Sequence, residues 1–336
     1  MTPRGSGFVY RLCMITKTLS TPAAPAAPTA RHRSTLIGVL SVAAVVYAGA
    51  QMRTTPEATS LLGKPLYALE LGADAKKAAE ADVVAAREAV AERPDSPDAR
   101  IRLGRRLVTA GRVREAIDVY SKGTATFPSD ARFYRHRGHR YITVREFDKA
   151  IADLAKASQL VEGKPDQPEQ ATDPTALSSE TLHYAIYYHL GLAHYLKGDF
   201  ARALPAYRKC LEIAKRNNDD EIAGASDWLY MTLRRLGRTA EADKVLDLIR
   251  PGMQIKDDQQ YYDRLFMYKG LKKPGELLGS AKDATADATL AYGVANWHFY
   301  NGRRAEAKAL FEKIVTGPNW MPFGFIAAEA ELARMR

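Results

Sequence analysis

The sequence predicts an all-α fold, an α-solenoid of helix–turn–helix repeats with capping helices, on three observations. Five times a Gly or its stand-in is followed twelve residues later by an Ala: Gly104 to Ala116, Gly138 to Ala150, Gly191 to Ala203, Tyr230 to Ala242 and Ala295 to Ala307. Four residues after each Ala stands a large apolar side chain, namely Tyr120, Leu154, Tyr207, Leu246 and Phe311. Between the paired helices fall Gly111, Gly198, Gly237 and Gly302, placed to end a helix. A fixed period means that each unit buries its apolar face against its neighbours. The paired Gly and Ala let two helices approach closely. These residues are structural and carry no chemistry.

The elements follow in order. Residues 1–50 are a leader: Thr21–Ala30 is low-complexity, and Thr35–Ala48 is an uncharged apolar run preceded by Arg31 and Arg33. Small residues Ala48-Gly49-Ala50 offer a cleavage site before Gln51. The uncharged stretch Ser34–Met52, nineteen residues long, is also close to the roughly 20 that span a bilayer. It is therefore either a signal peptide or an uncleaved anchor, with Met1 or Met14 as the start. Either way the repeats are expected outside the cytoplasm, periplasmic or extracellular if released and held at the inner membrane if anchored. Residues 51–72 read as a linker, and 73–96 as an N-terminal capping helix ended by Pro94. Repeats are expected at about 97–130, 131–160, 181–216, 223–250 and 288–320, with a degenerate pair at 253–280. The insert 161–180, with Pro165, Pro168 and Pro174, is expected to project as a loop, disordered in the preferred reading and functional in the other. A C-terminal capping helix is expected over 321–336.

The formal charge of +10 is uneven, because the first 50 residues carry five bases and no acid. The remaining 44 bases against 39 acids do not call for nucleic acid. Cys13 lies in the leader, so an exported mature chain keeps one thiol, Cys210, and has no internal disulfide. Cys210 shares a helical face with Ala203 and reads as a packing residue. His136 and His139 sit in a run of bases that repels a metal ion. His183, His189 and His194 lack the i, i+4 spacing of a shared face, and His194 and His298 read as core residues. No phosphate loop, nucleophile elbow, zinc-protease helix or haem-attachment motif is present. No catalytic residue, cofactor or metal is therefore expected, and the chain is not expected to be an enzyme.

The pattern Gly104…Gly111…Ala116…Tyr120…Pro128, repeated as Tyr187-Leu190-Gly191…Gly198…Phe200…Ala203…Tyr207, resembles the tetratricopeptide repeat (TPR) family. The resemblance covers about 70–336. It implies a right-handed solenoid of TPR-like helix pairs, of an exported bacterial type. The second copy departs from the family pattern with Arg137 where Leu is usual, and the fourth with Tyr230 in the Gly position. In this family the first helix of each pair lines a concave groove that binds peptides. By register the groove candidates are Arg105, Arg132, Arg135, His139, Tyr188, Leu192, Tyr195, Asp227, Met231, Arg234, Tyr292, Asn296 and Phe299. Such a groove, basic at one end and aromatic in the middle, suits an acidic segment followed by apolar anchors. Alternatively Arg132, Arg135 and Arg137 form a solvated helix face. Some members clamp a peptide carboxylate with Lys and Asn; Ile101 and Arg105 stand in those places, so that clamp is not expected. The resemblance implies a non-enzymatic protein–protein scaffold or adaptor of the cell envelope. The alternative is a membrane-anchored envelope assembly factor that makes its contacts through 161–180. A protein or peptide partner is expected and nucleic acid is not. A membrane is involved only through an uncleaved leader.

Overall fold

The computed structural model of the chain describes residues 55–170, 177–280 and 283–336, and the leader lies outside them. Two short strands, β1 (Ala58–Thr59) and β2 (Pro65–Leu66), precede α1 (Ala73–Glu92). Helix pairs follow: α2 (Pro97–Thr109) with α3 (Val113–Thr126), α4 (Ala131–Thr143) with α5 (Phe147–Val161), α6 (Leu182–Lys197) with α7 (Phe200–Asn217), and α8 (Asp219–Arg235) with α9 (Thr239–Leu246). A short pair, α10 (Gln259–Tyr268) with α11 (Pro274–Leu277), precedes α12 (Ala284–Tyr300) with α13 (Arg304–Ile314), and α14 (Phe323–Arg334) ends the fold. The insert carries β3 (Pro168–Gln170) and β4 (Leu177–Thr181). The architecture is an all-α solenoid.

Local chemistry places the helix ends. Ser96, Asp130, Asp199, Asn218 and Asp283 accept backbone N–H groups at the starts of α2, α4, α7, α8 and α12. The periodic glycines have a direct cause. A Cβ on Gly104 would lie 2.4 Å from the Tyr120 ring, one on Gly138 2.7 Å from Leu154, and one on Gly191 2.9 Å from Tyr207. These three repeats thus seat their large apolar residue on the bare backbone of the first helix. In the fourth pair Tyr230 instead stacks on Tyr268, ring centroids 4.4 Å apart.

The turn between paired helices takes a left-handed residue, and Gly111, Gly198, Gly237 and Gly302 supply it at φ 71° to 83°. The second repeat puts Arg145 there, at φ 66°. The strain, about 1–2 kcal/mol for a residue with a Cβ, is offset by what the side chain reaches. Buried Arg145 donates from Nε to Glu329 at 2.9 Å and from Nη2 to the Trp320 carbonyl at 2.9 Å, and its guanidinium lies over the Trp320 ring.

Those partners belong to the far end of the chain, and they correct the expected C-terminal cap. A terminal cap needs a polar outer face, whereas α14 is buried continuously from Gly324 to Leu332. A helix apolar or paired all round is packed on every side. It lies against α12, α13 and α6. The approach to α12 is so close that a Cβ on Gly324 would meet the Ala288 carbonyl at 2.3 Å. The two carboxylates of α14 are each neutralised from a distant repeat. Glu329 pairs with Arg145 and Glu331 with Arg235 at 2.6 Å, while Arg334 of α14 itself adds a second contact to Glu331 at 2.6 Å.

Residues 55–72, expected as a linker, are docked. Arg114 binds Glu57 through its backbone N–H and Nε, both at 2.7 Å. Trp320 Nε1 donates to the Tyr67 carbonyl at 2.7 Å, and Ala58 joins the main core. Nor does the described part of the insert project. Strands β3 and β4 pair antiparallel, with Pro168 opposite Thr181. The Thr181 N–H bonds to Glu221 of α8 at 2.7 Å, which holds this ladder to the repeats. Residues 171–176 lie outside the described chain.

Candidate functional site

At one end of the inner face, α2 and α4 bring Arg105, Arg135 and Arg140 together, with His136 and His139 beside them. Helical spacing accounts for this: Arg132, His136 and Arg140 share one line of α4, and Arg135 and His139 the adjacent one. Arg132 is committed elsewhere. It holds Asp130 at 2.7 Å and Asp98 at 2.6 Å, tying the starts of α2 and α4, and these partners raise its pKa. Arg137, one candidate for a solvated face, points to the outer layer instead. It grips Asp153 bidentately at 2.7 and 2.8 Å and also bonds Ser121 and Thr124.

Three cations crowd a partly water-excluded space. Burial, followed by the charges of Arg135 and Arg105, pushes the Arg140 pKa down to about 10, although Tyr120 opposes the shift. Among the described residues the Arg140 guanidinium has no hydrogen-bond or ion-pair partner. Arg105 is likewise lowered, chiefly by burial, with Arg135 adding to the fall and Glu169 opposing it. The anion facing the group is Glu169 of β3, whose Oε1 lies 2.9 Å from Arg135 Nε, with Glu180 3.5 Å from Arg135 Nη2. His136, His139 and His189 are held neutral, by burial first and by the neighbouring arginines second. The 3.8 Å approach of His136 to Glu169 is therefore not an ion pair.

The aromatic middle is not open, which corrects the expected lining. Tyr188 is buried, its hydroxyl accepting from Trp228 Nε1 at 2.7 Å and bonding the Tyr261 hydroxyl at 2.9 Å. The Tyr195 hydroxyl accepts from Tyr292 at 3.0 Å and from Asn296 Nδ2 at 2.9 Å, and Tyr195, Tyr292 and Asn296 are fully buried. Leu192, Met231 and Asp227 are buried as well. The first helices close on one another and on α14, so these residues form an interior. His139 faces the same filling: the Phe323 ring, at the start of α14, lies 5.2 Å from His139, 5.5 Å from His189 and 6.4 Å from Tyr188. Arg234 lies over the Tyr300 ring and bonds Tyr230 and Asn301, while half-buried Phe299 carries Arg235 on its face at 4.5 Å. The structure thus joins Arg105 and Arg135 with His139 beside them, and joins Tyr195, Tyr292 and Asn296 in a separate buried cluster.

Residues the sequence reading missed complete the site. Arg140 sits on the Arg132–His136 line and could have been placed by that spacing. Glu169 and Glu180 lie in the aperiodic insert, where no pattern marks them. Beyond them stands a carboxylate group at the starts of α8 and α10. Asp220 Oδ1 accepts the N–H groups of Lys256, Asp257 and Asp258 at 2.9–3.0 Å. Burial, with Glu180 and other nearby carboxylates adding, holds Asp258 well above its usual range.

Burial also raises Glu221 to about 7, against hydrogen bonds from Asn217 and Thr181 that favour its ionised form. The folded chain therefore keeps a proton that the unfolded chain releases above the ordinary value of 4.5. The stability this gives is present at low pH and is lost as pH rises through about 7. Glu221→Gln should accordingly gain on the wild type in melting temperature between pH 4.5 and 7. A difference that stays constant over that range would contradict the assignment.

Cys210 is buried, its thiol pushed up by burial, and it packs near the Tyr184 carbonyl. Among the described residues no cluster of three metal-ligating side chains occurs, and no helix is long and apolar enough to cross a membrane.

Residues 73–137 and 184–217 each match a tetratricopeptide repeat family model. No curated protein matches the chain. Similar solved structures include YrrB, a TPR protein with an unusual peptide-binding site, at 16% identity, 74% of this chain, 99% of that chain and TM-score 0.41. Another is pilF of Pseudomonas aeruginosa, at 15% identity, 78% and 91% coverage and TM-score 0.42. A third is a tetratricopeptide repeat protein from Parabacteroides merdae, at 14% identity, 77% and 93% coverage and TM-score 0.45. These likenesses are loose in sequence and superposition alike, so the assignment rests on the two repeat matches. Within its all-α solenoid, residues 73–137 and 184–217 are thus similar to tetratricopeptide repeats.

Proposed function

We propose that this chain is a non-enzymatic interaction scaffold of the cell envelope, exported or anchored by its leader, that holds an acidic segment of a partner protein. The contact is the basic end of the inner face, at Arg105, Arg135 and Arg140. The observation that carries the reading is Arg140, a guanidinium beside two others with no acceptor among the described residues. Crowded cations are costly without counter-charge, and a carboxylate-bearing segment supplies it with fork-shaped hydrogen bonds. Glu169 turns inward, which favours this pocket over the insert as the contact.

The test is anisotropy titration of a labelled hexaglutamate peptide at low and moderate salt. Arg140→Glu should abolish binding. Arg202→Glu makes the same charge change at an exposed side chain on α7 and should leave binding within about twofold of wild type, apart from the small screened effect of net charge. Equal losses in the two variants would mean general attraction rather than a site. Fractionation of cells carrying the full-length chain tests the envelope assignment; recovery in the cytoplasm would overturn it.

A further inference from the structure

The basic pocket already holds a carboxylate of this chain. We propose that Glu169 is a built-in competitor, an internal stand-in for the acidic segment that the pocket takes from a partner. The inference rests on the reading just given and adds its regulation: the free protein is closed, and a partner binds by displacing β3.

Three observations carry it. First, the side chain of Glu169 is 7% exposed and lies 2.9 Å from Arg135, so the position a ligand carboxylate would seek is filled. Second, the fit is poor. Arg135 Nε and Glu169 Oε1 are both buried and close, yet neither makes an aligned hydrogen bond. The ion pairs that staple the solenoid are hydrogen-bonded: Arg137 forks onto Asp153, and Arg145 Nε donates to Glu329 at 2.9 Å. Short, misaligned charge pairs gain less than bidentate ones, so an outside carboxylate free to orient can do better. Third, Glu169 and Glu180 both approach Arg135 and leave the Arg140 guanidinium without an acceptor among the described residues, whereas a segment carrying several acids would engage both arginines.

The strap that carries Glu169 is held lightly. Its ladder to β4 is short and begins at Pro168, which has no N–H to donate. On its α6 side it is tied by the Leu182 N–H to the Gln167 carbonyl at 2.8 Å and the His183 N–H to Asp166 at 2.9 Å. Releasing β3 leaves the repeat packing of α4, α5 and α6 intact, because those helices meet through their own apolar residues.

A competitor of this kind lowers apparent affinity by the fraction of molecules in the open state. Hexaglutamate affinity is measured for wild type, Glu169→Gln, Arg140→Glu and the Glu169→Gln/Arg140→Glu double variant, with melting curves for each. Glu169→Gln should bind at least ~10-fold more tightly than wild type, and Arg140→Glu should remove binding in either background. Glu169→Asp, too short to keep the contact, should shift affinity the same way and serves where Gln disturbs folding. Unchanged or weaker binding by both Glu169 variants, with Arg140→Glu still destructive, would overturn the competitor and leave the pocket standing. No binding by wild type or by either Glu169 variant would overturn both.

Discussion

Asp227→Ala is expected to destabilise the fold by about 3–5 kcal/mol, the usual result of stranding one member of a buried ion pair. Asp227 and Arg264 are both fully buried, joined by Nε to Oδ1 at 2.9 Å and by a second contact from Nη2 to Oδ2. Arg264 also donates to the Thr289 carbonyl at 2.7 Å and lies over the rings of Tyr261 and Trp228. One guanidinium thereby links α8, α10 and α12, the region where the repeat pattern is most degenerate. Room for it is made by Gly293, where a Cβ would lie 2.1 Å from Arg264 Cδ. The loss should appear as a melting temperature lower by roughly 10 °C, at about 2–4 °C per kcal/mol for a chain of this size. The pair itself need not be net stabilising. Asp227→Leu combined with Arg264→Met should recover most of the loss, since an apolar replacement strands no charge. A double variant as unstable as the single one would show that the cost lies in packing.

Arg145 gives the second large effect, and there the order of two variants is informative. Arg145→Ala keeps the left-handed backbone strain and strands buried Glu329, for a loss of about 3–5 kcal/mol. Arg145→Gly strands the same carboxylate but relieves about 1–2 kcal/mol of strain. Urea midpoints should therefore rank wild type, then Arg145→Gly, then Arg145→Ala. If Arg145→Gly equals the wild type, the pairing with Glu329 contributes only enough to offset its own strain.

Short-range features of the fold could be read from sequence because their causes are short-range. Gly104 and Tyr120 are sixteen residues apart, and the contact between them is fixed by the pair geometry alone. Arg145 was visible as the residue standing seven after Gly138, where other copies have Gly. Its partner Glu329 was not, being 184 residues away with no period to connect them. The same limit explains α14. Its sequence reads as a helix with Glu329 and Glu331 two residues apart, on different sides of the axis, and Arg145 and Arg235 from other repeats make both sides interior. Tyr188, Tyr195, Tyr292 and Asn296 occupy the inward register expected of them, but register cannot say what fills the space they face. The basic end was legible through Arg105 and Arg135, whereas Glu169, which occupies it, came from a stretch without pattern.

The central claim is that the inner face is filled by the chain itself, with α14 lodged against α6 rather than capping an end. Hydrogen exchange on a chain stopped after Pro322 tests this most directly. The account predicts that amides of α6, Leu182–Lys197, lose protection although they lie more than 120 residues from the cut, because Phe323 and the Arg334 bond to the Leu196 carbonyl are gone. Lost protection confined to α12 and α13, with α6 unchanged, would contradict it.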